Sequence, residues 1–128
     1  MNTIKKTIIC LLAGLTIIGC SKGNTIQFCE GVDNAGNGVG CGKKFTTGDL
    51  TGVISLNRTF DADSLVLKIT HVEKNSKIVE ETIKLKVEKD KNKLNATLPF
   101  YNSGKYKVEL FRQNDLLAEG SIEIIDTL

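Results

Sequence analysis

Four cysteines and a single histidine carry most of the chemical potential of this 128-residue chain. A thiol can close a disulfide, ligate a soft metal or act as a nucleophile. Cys29 and Cys41 stand twelve positions apart and bracket a segment rich in glycine (Gly31, Gly36, Gly38, Gly40). Such a segment is very free when unfolded and has little apolar surface to bury. Closing a loop of this size contributes about 3 kcal/mol in the chain-entropy model. A metal site would need three or four ligands, whereas Cys29, Cys41 and His71 supply at most three, with no Cys-x-x-Cys. Asp33-Asn34-Ala35-Gly36-Asn37-Gly38 begins like a calcium loop. Ala35 occupies the third position, however, and Lys44 the twelfth, where a bidentate Glu belongs. Gly36, Gly38 and Gly40 are not followed by a helix pattern that could complete a phosphate cradle. His71 closes the run Leu67-Lys68-Ile69-Thr70-His71-Val72. It is expected to be an exposed strand-end residue whose replacement by Ala leaves the fold intact. No G-x-S-x-G elbow occurs, and the carboxylates are scattered among lysines. The sequence therefore predicts no catalytic residue, no metal and no cofactor.

The elements that place these thiols begin with the leader. Lys5-Lys6 precede an uncharged run over 7–18 that ends in Ile17-Ile18-Gly19-Cys20. A membrane-spanning helix needs roughly 20 apolar residues, so this run is too short and fits a secretory signal. Ile17 to Cys20 resembles the lipobox of bacterial lipoproteins, in which an aliphatic and a small residue precede a Cys. The resemblance covers the first sixth or so of the chain. It implies that Cys20 receives a diacylglyceryl group, that 1–19 is removed, and that the new amine is acylated. More than one acyl chain holds a protein firmly to a bilayer, at ~0.8 kcal/mol per buried methylene. In the family's sorting scheme an Asp after the Cys favours the inner membrane. Ser21 stands there instead, which points to the outer membrane. An exported chain favours a disulfide between Cys29 and Cys41, since Cys10 leaves with the leader and Cys20 carries lipid.

The net charge is +2, from 17 basic and 15 acidic residues. Lys5 and Lys6 supply that excess, so the mature chain is neutral. Neutrality excludes a strongly basic nucleic-acid binder. Lys84, Lys86, Lys89, Lys91 and Lys93 form a basic stretch in which Glu88 and Asp90 are interleaved. It reads as a solvated, aggregation-resistant edge.

After Phe45 the apolar residues recur at every second position. Leu50, Ile54 and Leu56 form one set, and Leu65, Leu67 and Ile69 the next. Ile83, Leu85 and Val87 follow, then Leu94, Ala96, Leu98 and Phe100. Tyr106, Val108 and Leu110 form a fifth, and Leu116, Ala118, Gly120, Ile122 and Ile124 a sixth. Period two with dense β-branching means strands. Turn signals separate them at 57–63, Asn75-Ser76, 89–92, Asn102-Ser103-Gly104 and 113–115. No gap holds a crossover helix, so the pairing is expected to be antiparallel. One apolar face per strand requires two sheets packed face to face. The predicted class is all-β, a sandwich of six strands, or seven with an edge strand over 43–47. The expected organisation is a leader at 1–19, a lipidated tether and disulfide-closed loop at 20–42, and the sandwich at 43–128.

Asn102-Ser103-Gly104-Lys105-Tyr106-Lys107-Val108 is similar to the Asp-x-Gly-x-Tyr-x-Cys segment of immunoglobulin-like domains. The resemblance implies an immunoglobulin-like sandwich in which Gly104 and Tyr106 form a corner, the Tyr hydroxyl bonding back to the main chain. Val108 replaces the Cys and the chain has no Trp, so an antibody-type inter-sheet disulfide is not implied. Ser103-Gly104-Lys105-Tyr106 is also similar to the Ser-Gly-x-x-Tyr piece of the membrane-bound inhibitors of c-type lysozyme. Those are small lipoproteins with an aromatic-rich barrel, whereas this chain has seven Phe and Tyr residues in all. The expected function is that of a non-enzymatic envelope lipoprotein. Its partners are the bilayer, through acylated Cys20, and an envelope protein. The alternative is an inhibitor or small-ligand-binding lipoprotein that uses residues 33–39 or the strand-end loops.

Overall fold

Alternation along the chain is converted directly into two apolar faces. The computed structural model describes residues 23–72 and 77–126. The leader, Cys20 and the turn signal Asn75-Ser76 lie outside the described residues.

Nine strands are described: β1 (Thr25–Val32), β2 (Gly38–Gly42), β3 (Lys44–Thr46), β4 (Gly48–Ser55), β5 (Ser64–Val72), β6 (Lys77–Lys86), β7 (Lys93–Phe100), β8 (Gly104–Arg112) and β9 (Asp115–Ile125). They form a four-stranded sheet in the order β2-β1-β4-β7 and a five-stranded sheet in the order β3-β9-β8-β5-β6. Strands β1, β4 and β7 take the places of A, B and E in an immunoglobulin-like sandwich. Strands β9, β8 and β5 take those of G, F and C, with β6 added beside C. All pairings are antiparallel except β3 with β9, where Phe45 stands beside Ile124. That parallel pair needs no crossover helix, because the five strands β4 to β8 lie between its two strands in the chain.

The core lies between the sheets. Ile54 and Leu98 face it from one sheet, and Leu67, Val108, Leu110 and Ile124 from the other, all fully buried. Burying each such side chain is worth about 1.5–3 kcal/mol. Phe60 is fully buried too, although it belongs to the turn segment 57–63.

Three expectations are corrected. The sandwich begins at Thr25 rather than at 43: Ile26 and Phe28 of β1 are buried in the core, and β1 pairs along β4 from Thr25↔Ser55 to Cys29↔Thr51. The strand count is nine rather than six or seven, because the glycine-rich segment forms the β1–β2 hairpin. Leu116 does not join the inward set of β9. The register of β8 and β9 shifts between Leu110 and Phe111, which leaves Leu116 exposed and brings Leu117 against the core.

The sheet edges are mostly guarded. The edge strand β7 carries Pro99, which lacks a donor, and β6 carries exposed Lys84 and Lys86.

Candidate functional site

Strand directions divide the molecule into two ends. The first holds Gly23 and Asn24, the segments 56–63 and 87–92, and the β8–β9 turn. The second holds the β1–β2 hairpin tip, residues 43–48, the corner at 101–104, and the end of β9.

At the second end, Cys29 and Cys41 face each other across β1 and β2 with Cα atoms 3.8 Å apart, joined by a disulfide. Cys29 is fully buried and Cys41 exposed. Gly38 lies against the bridge. A Cβ there would stand 2.5 Å from both sulfurs, so only hydrogen fits. Beyond it the chain turns over Asp33. The Asp33 Oδ1 accepts the amides of Ala35 and Asn37, each at 2.9 Å. The Asp33 amide donates to the Asn37 carbonyl, and the Gly36 amide to that of Asp33. The Asn37 amide, with a smaller contribution from that of Ala35, holds the Asp33 carboxyl below its ordinary value against an opposing push from desolvation. The hairpin is thus a closed turn whose carboxylate is engaged by its own backbone.

The corner is built from Gly104, Tyr106 and His71. The Tyr106 hydroxyl donates to the Asn102 carbonyl at 2.8 Å, while its ring is buried. Gly104 has φ +143°, a conformation that L side chains rarely adopt. A Cβ on it would lie 2.3 Å from His71 Nε2. His71 is therefore not the exposed strand-end residue expected. It is half-buried and stacks on Tyr106, with ring centroids 4.9 Å apart and planes 24° apart.

Sequence reading reaches Val39 only as the end of the 33–39 loop and misses the other exposed apolar residues of this end. Val32 and Val39 flank the hairpin turn, Tyr101 follows β7, and Ile125 ends β9, all at this second end. Val39 is 50% exposed and Tyr101 63%. Tyr101 donates its hydroxyl to Asp49, whose carboxylate raises the phenol's pKa above its ordinary value. A sequence signal for the hairpin existed: Val32 and Val39 bracket Asp33-Asn34-Ala35-Gly36-Asn37, a turn composition.

Among the described residues no group of three or more His, Cys, Asp or Glu is placed to hold a metal ion.

No protein-family model matches the chain, and no curated protein matches it. Among solved structures it is similar to the crystal structure of the PmoD soluble domain from Methylocystis sp. ATCC 49242 (Rockwell). The identity is 15% and the TM-score 0.49, over 78% of this chain and 89% of that one. The functional reading therefore rests on this chain's own residues.

Proposed function

We propose that this chain is a lipid-anchored protein of the bacterial cell envelope. Acylated Cys20 holds the sandwich to a bilayer, the outer membrane in a diderm cell, and the far end binds another envelope protein without a catalytic step. The observation that supports this most is a polarity of the fold. Among the described residues, four of the five exposed large hydrophobics, Val32, Val39, Tyr101 and Ile125, stand at the end opposite Gly23, which follows the lipidated position by three residues. Exposed apolar residues at one end of a small domain suit a protein contact. The disulfide and the Asp33 turn hold Val32 and Val39 in place beforehand, so little ordering entropy opposes association.

The test uses a photoreactive residue placed at Val39 or Tyr101 in living cells, with Leu116 at the other end as control. A discrete protein adduct from Val39 and Tyr101 but not from Leu116 is the expected result. Absence of adducts from Val39 and Tyr101, or the same adducts from all three positions, would overturn the assignment of the far end.

A further inference from the structure

The amino-terminal end of the sandwich is a hydrogen-bonded platform, and the chain entering it is clamped. The Asn24 carboxamide accepts the Asn57 amide at 2.8 Å and donates to the Leu117 carbonyl at 3.0 Å. Segments 56–63 and 87–92 are laced together beside it. The Leu56 amide donates to Asn92, Phe60 to Lys91, Asp61 to Lys89, and Val87 to Asp63, at 2.7–3.0 Å. The Asn92 side chain returns a bond to the Leu56 carbonyl. Only two residues, Ser21 and Lys22, separate Cys20 from Gly23, at most about 10 Å of extended chain. A lipid on Cys20 thus leaves this platform little slack from the membrane surface.

An open groove of about 680 Å³ lies on this platform. Phe60, Val87 and Leu94 line it together with Lys86, Lys91 and Lys93, and Asp63 and Glu88 also contribute. Asp63 faces Lys89 at 4.0 Å, and Asp115 faces Arg112 at 3.9 Å. Among the described residues Lys86, Lys91 and Lys93 form no ion pair. Asp61 and Asp90 stand at the same end and limit its positive charge, so its attraction for anions is weak in free solution. A short tether raises the effective concentration of a surface enough for weak contacts to form.

We infer that this end is the bilayer-facing surface of the protein, with the phosphate of an anionic phospholipid headgroup seated among Lys86, Lys91 and Lys93. The inference rests on the acylation of Cys20 proposed above. Lysines held at an anionic leaflet gain attraction that decays within a Debye length. The same geometry turns Val32, Val39, Tyr101 and Ile125 away from the membrane.

The acylated full-length product is purified from cells and its Cys20 lipid verified by intact mass, so that failure of the anchor is separated from failure of the surface. It is then placed in detergent micelles, in phosphatidylcholine vesicles, or in vesicles containing phosphatidylglycerol. Lysines are labelled with an amine-reactive probe and read individually by mass spectrometry. Relative to micelles, labelling of Lys86, Lys91 and Lys93 is expected to slow by about threefold or more in phosphatidylglycerol vesicles and by less in phosphatidylcholine. Lys44 and Lys105, near the far end, are expected not to change. A long Gly-Ser insertion after Lys22, which leaves the folded residues untouched, is expected to abolish most of the protection. Equal labelling at both ends in phosphatidylglycerol vesicles, or protection indifferent to the insertion, would overturn the inference.

Discussion

The imidazole of His71 lies on the ring of Tyr106, 4.9 Å between centroids, directly over the backbone of Gly104. Strand β5 contributes the His and β8 the Tyr, so the stack ties together two strands of the larger sheet at the corner. Tyr106 in turn reaches Phe100 of the facing sheet, at 5.2 Å.

Tyr106→Phe removes one hydrogen bond to the Asn102 carbonyl and keeps the ring. Stability is expected to fall by about 1 kcal/mol, measured by chemical denaturation. No change within error would mean that the corner bond contributes nothing.

Gly104→Ala places a methyl against His71 on a backbone that favours glycine. The expected loss is about 1–3 kcal/mol. In the double variant with His71→Ala the steric part is relieved, so the two losses should not add. Strict additivity in the thermodynamic cycle would show that the close approach is unimportant. His71→Ala alone is expected to weaken the sheet modestly, contrary to the sequence expectation of no effect.

Gly38→Ala should disfavour the Cys29–Cys41 bridge, because its Cβ would sit on both sulfurs. More free thiol in that variant than in the wild type, by mass spectrometry without reductant, is the expected outcome. Removing the bridge with Cys29→Ser and Cys41→Ser is expected to cost about 3 kcal/mol. Since β1 is part of the core sheet, that loss should appear in global unfolding rather than as local fraying alone. A bridge that forms equally well in Gly38→Ala would contradict the packing described.

The hairpin turn has a pH dependence of known sign. The Asp33 carboxyl titrates below its ordinary value in the folded state, because the charged form accepts the Asn37 and Ala35 amides. Its contribution is present above the unfolded-state pKa and is lost as pH falls through the lower folded-state value. Exchange of the Ala35 and Asn37 amides, normalised to the intrinsic rate, should therefore speed up in that acid range and not above it. Protection that persists unchanged in acid would show that the side chain does not hold the turn.

The strands from Leu50 onward were legible because one polar and one apolar face impose period two, most clearly at Tyr106-Lys107-Val108 and Leu94 to Phe100. The β1–β2 hairpin was hidden. Only Ile26 and Phe28 mark its inward face before Cys29, and the glycines that follow look like loop composition. One of them, Gly38, is there because the disulfide fills its side-chain space. Phe60 looked like part of a turn, but the turn folds back under the sheets and delivers its ring to the core. The register shift after Leu110 moved Leu116 outward, and pure alternation does not reveal a bulge. The pairing of Cys29 with Cys41 was legible from cysteine arithmetic and compartment. The polarity of the two ends was not, since it depends on strand directions that place Val39, Tyr101 and Ile125, distant in the chain, at the same end.

Acylation of Cys20 carries both the envelope assignment and the orientation of the sandwich. The most direct measurement is the mass of the mature amino-terminal peptide isolated from cells. The account predicts a chain that starts at Cys20 and bears a diacylglyceryl group with an acylated amine, lost together with labelled palmitate in Cys20→Ala. A peptide that retains residues 1–19, or one with Cys20 unmodified, would contradict it.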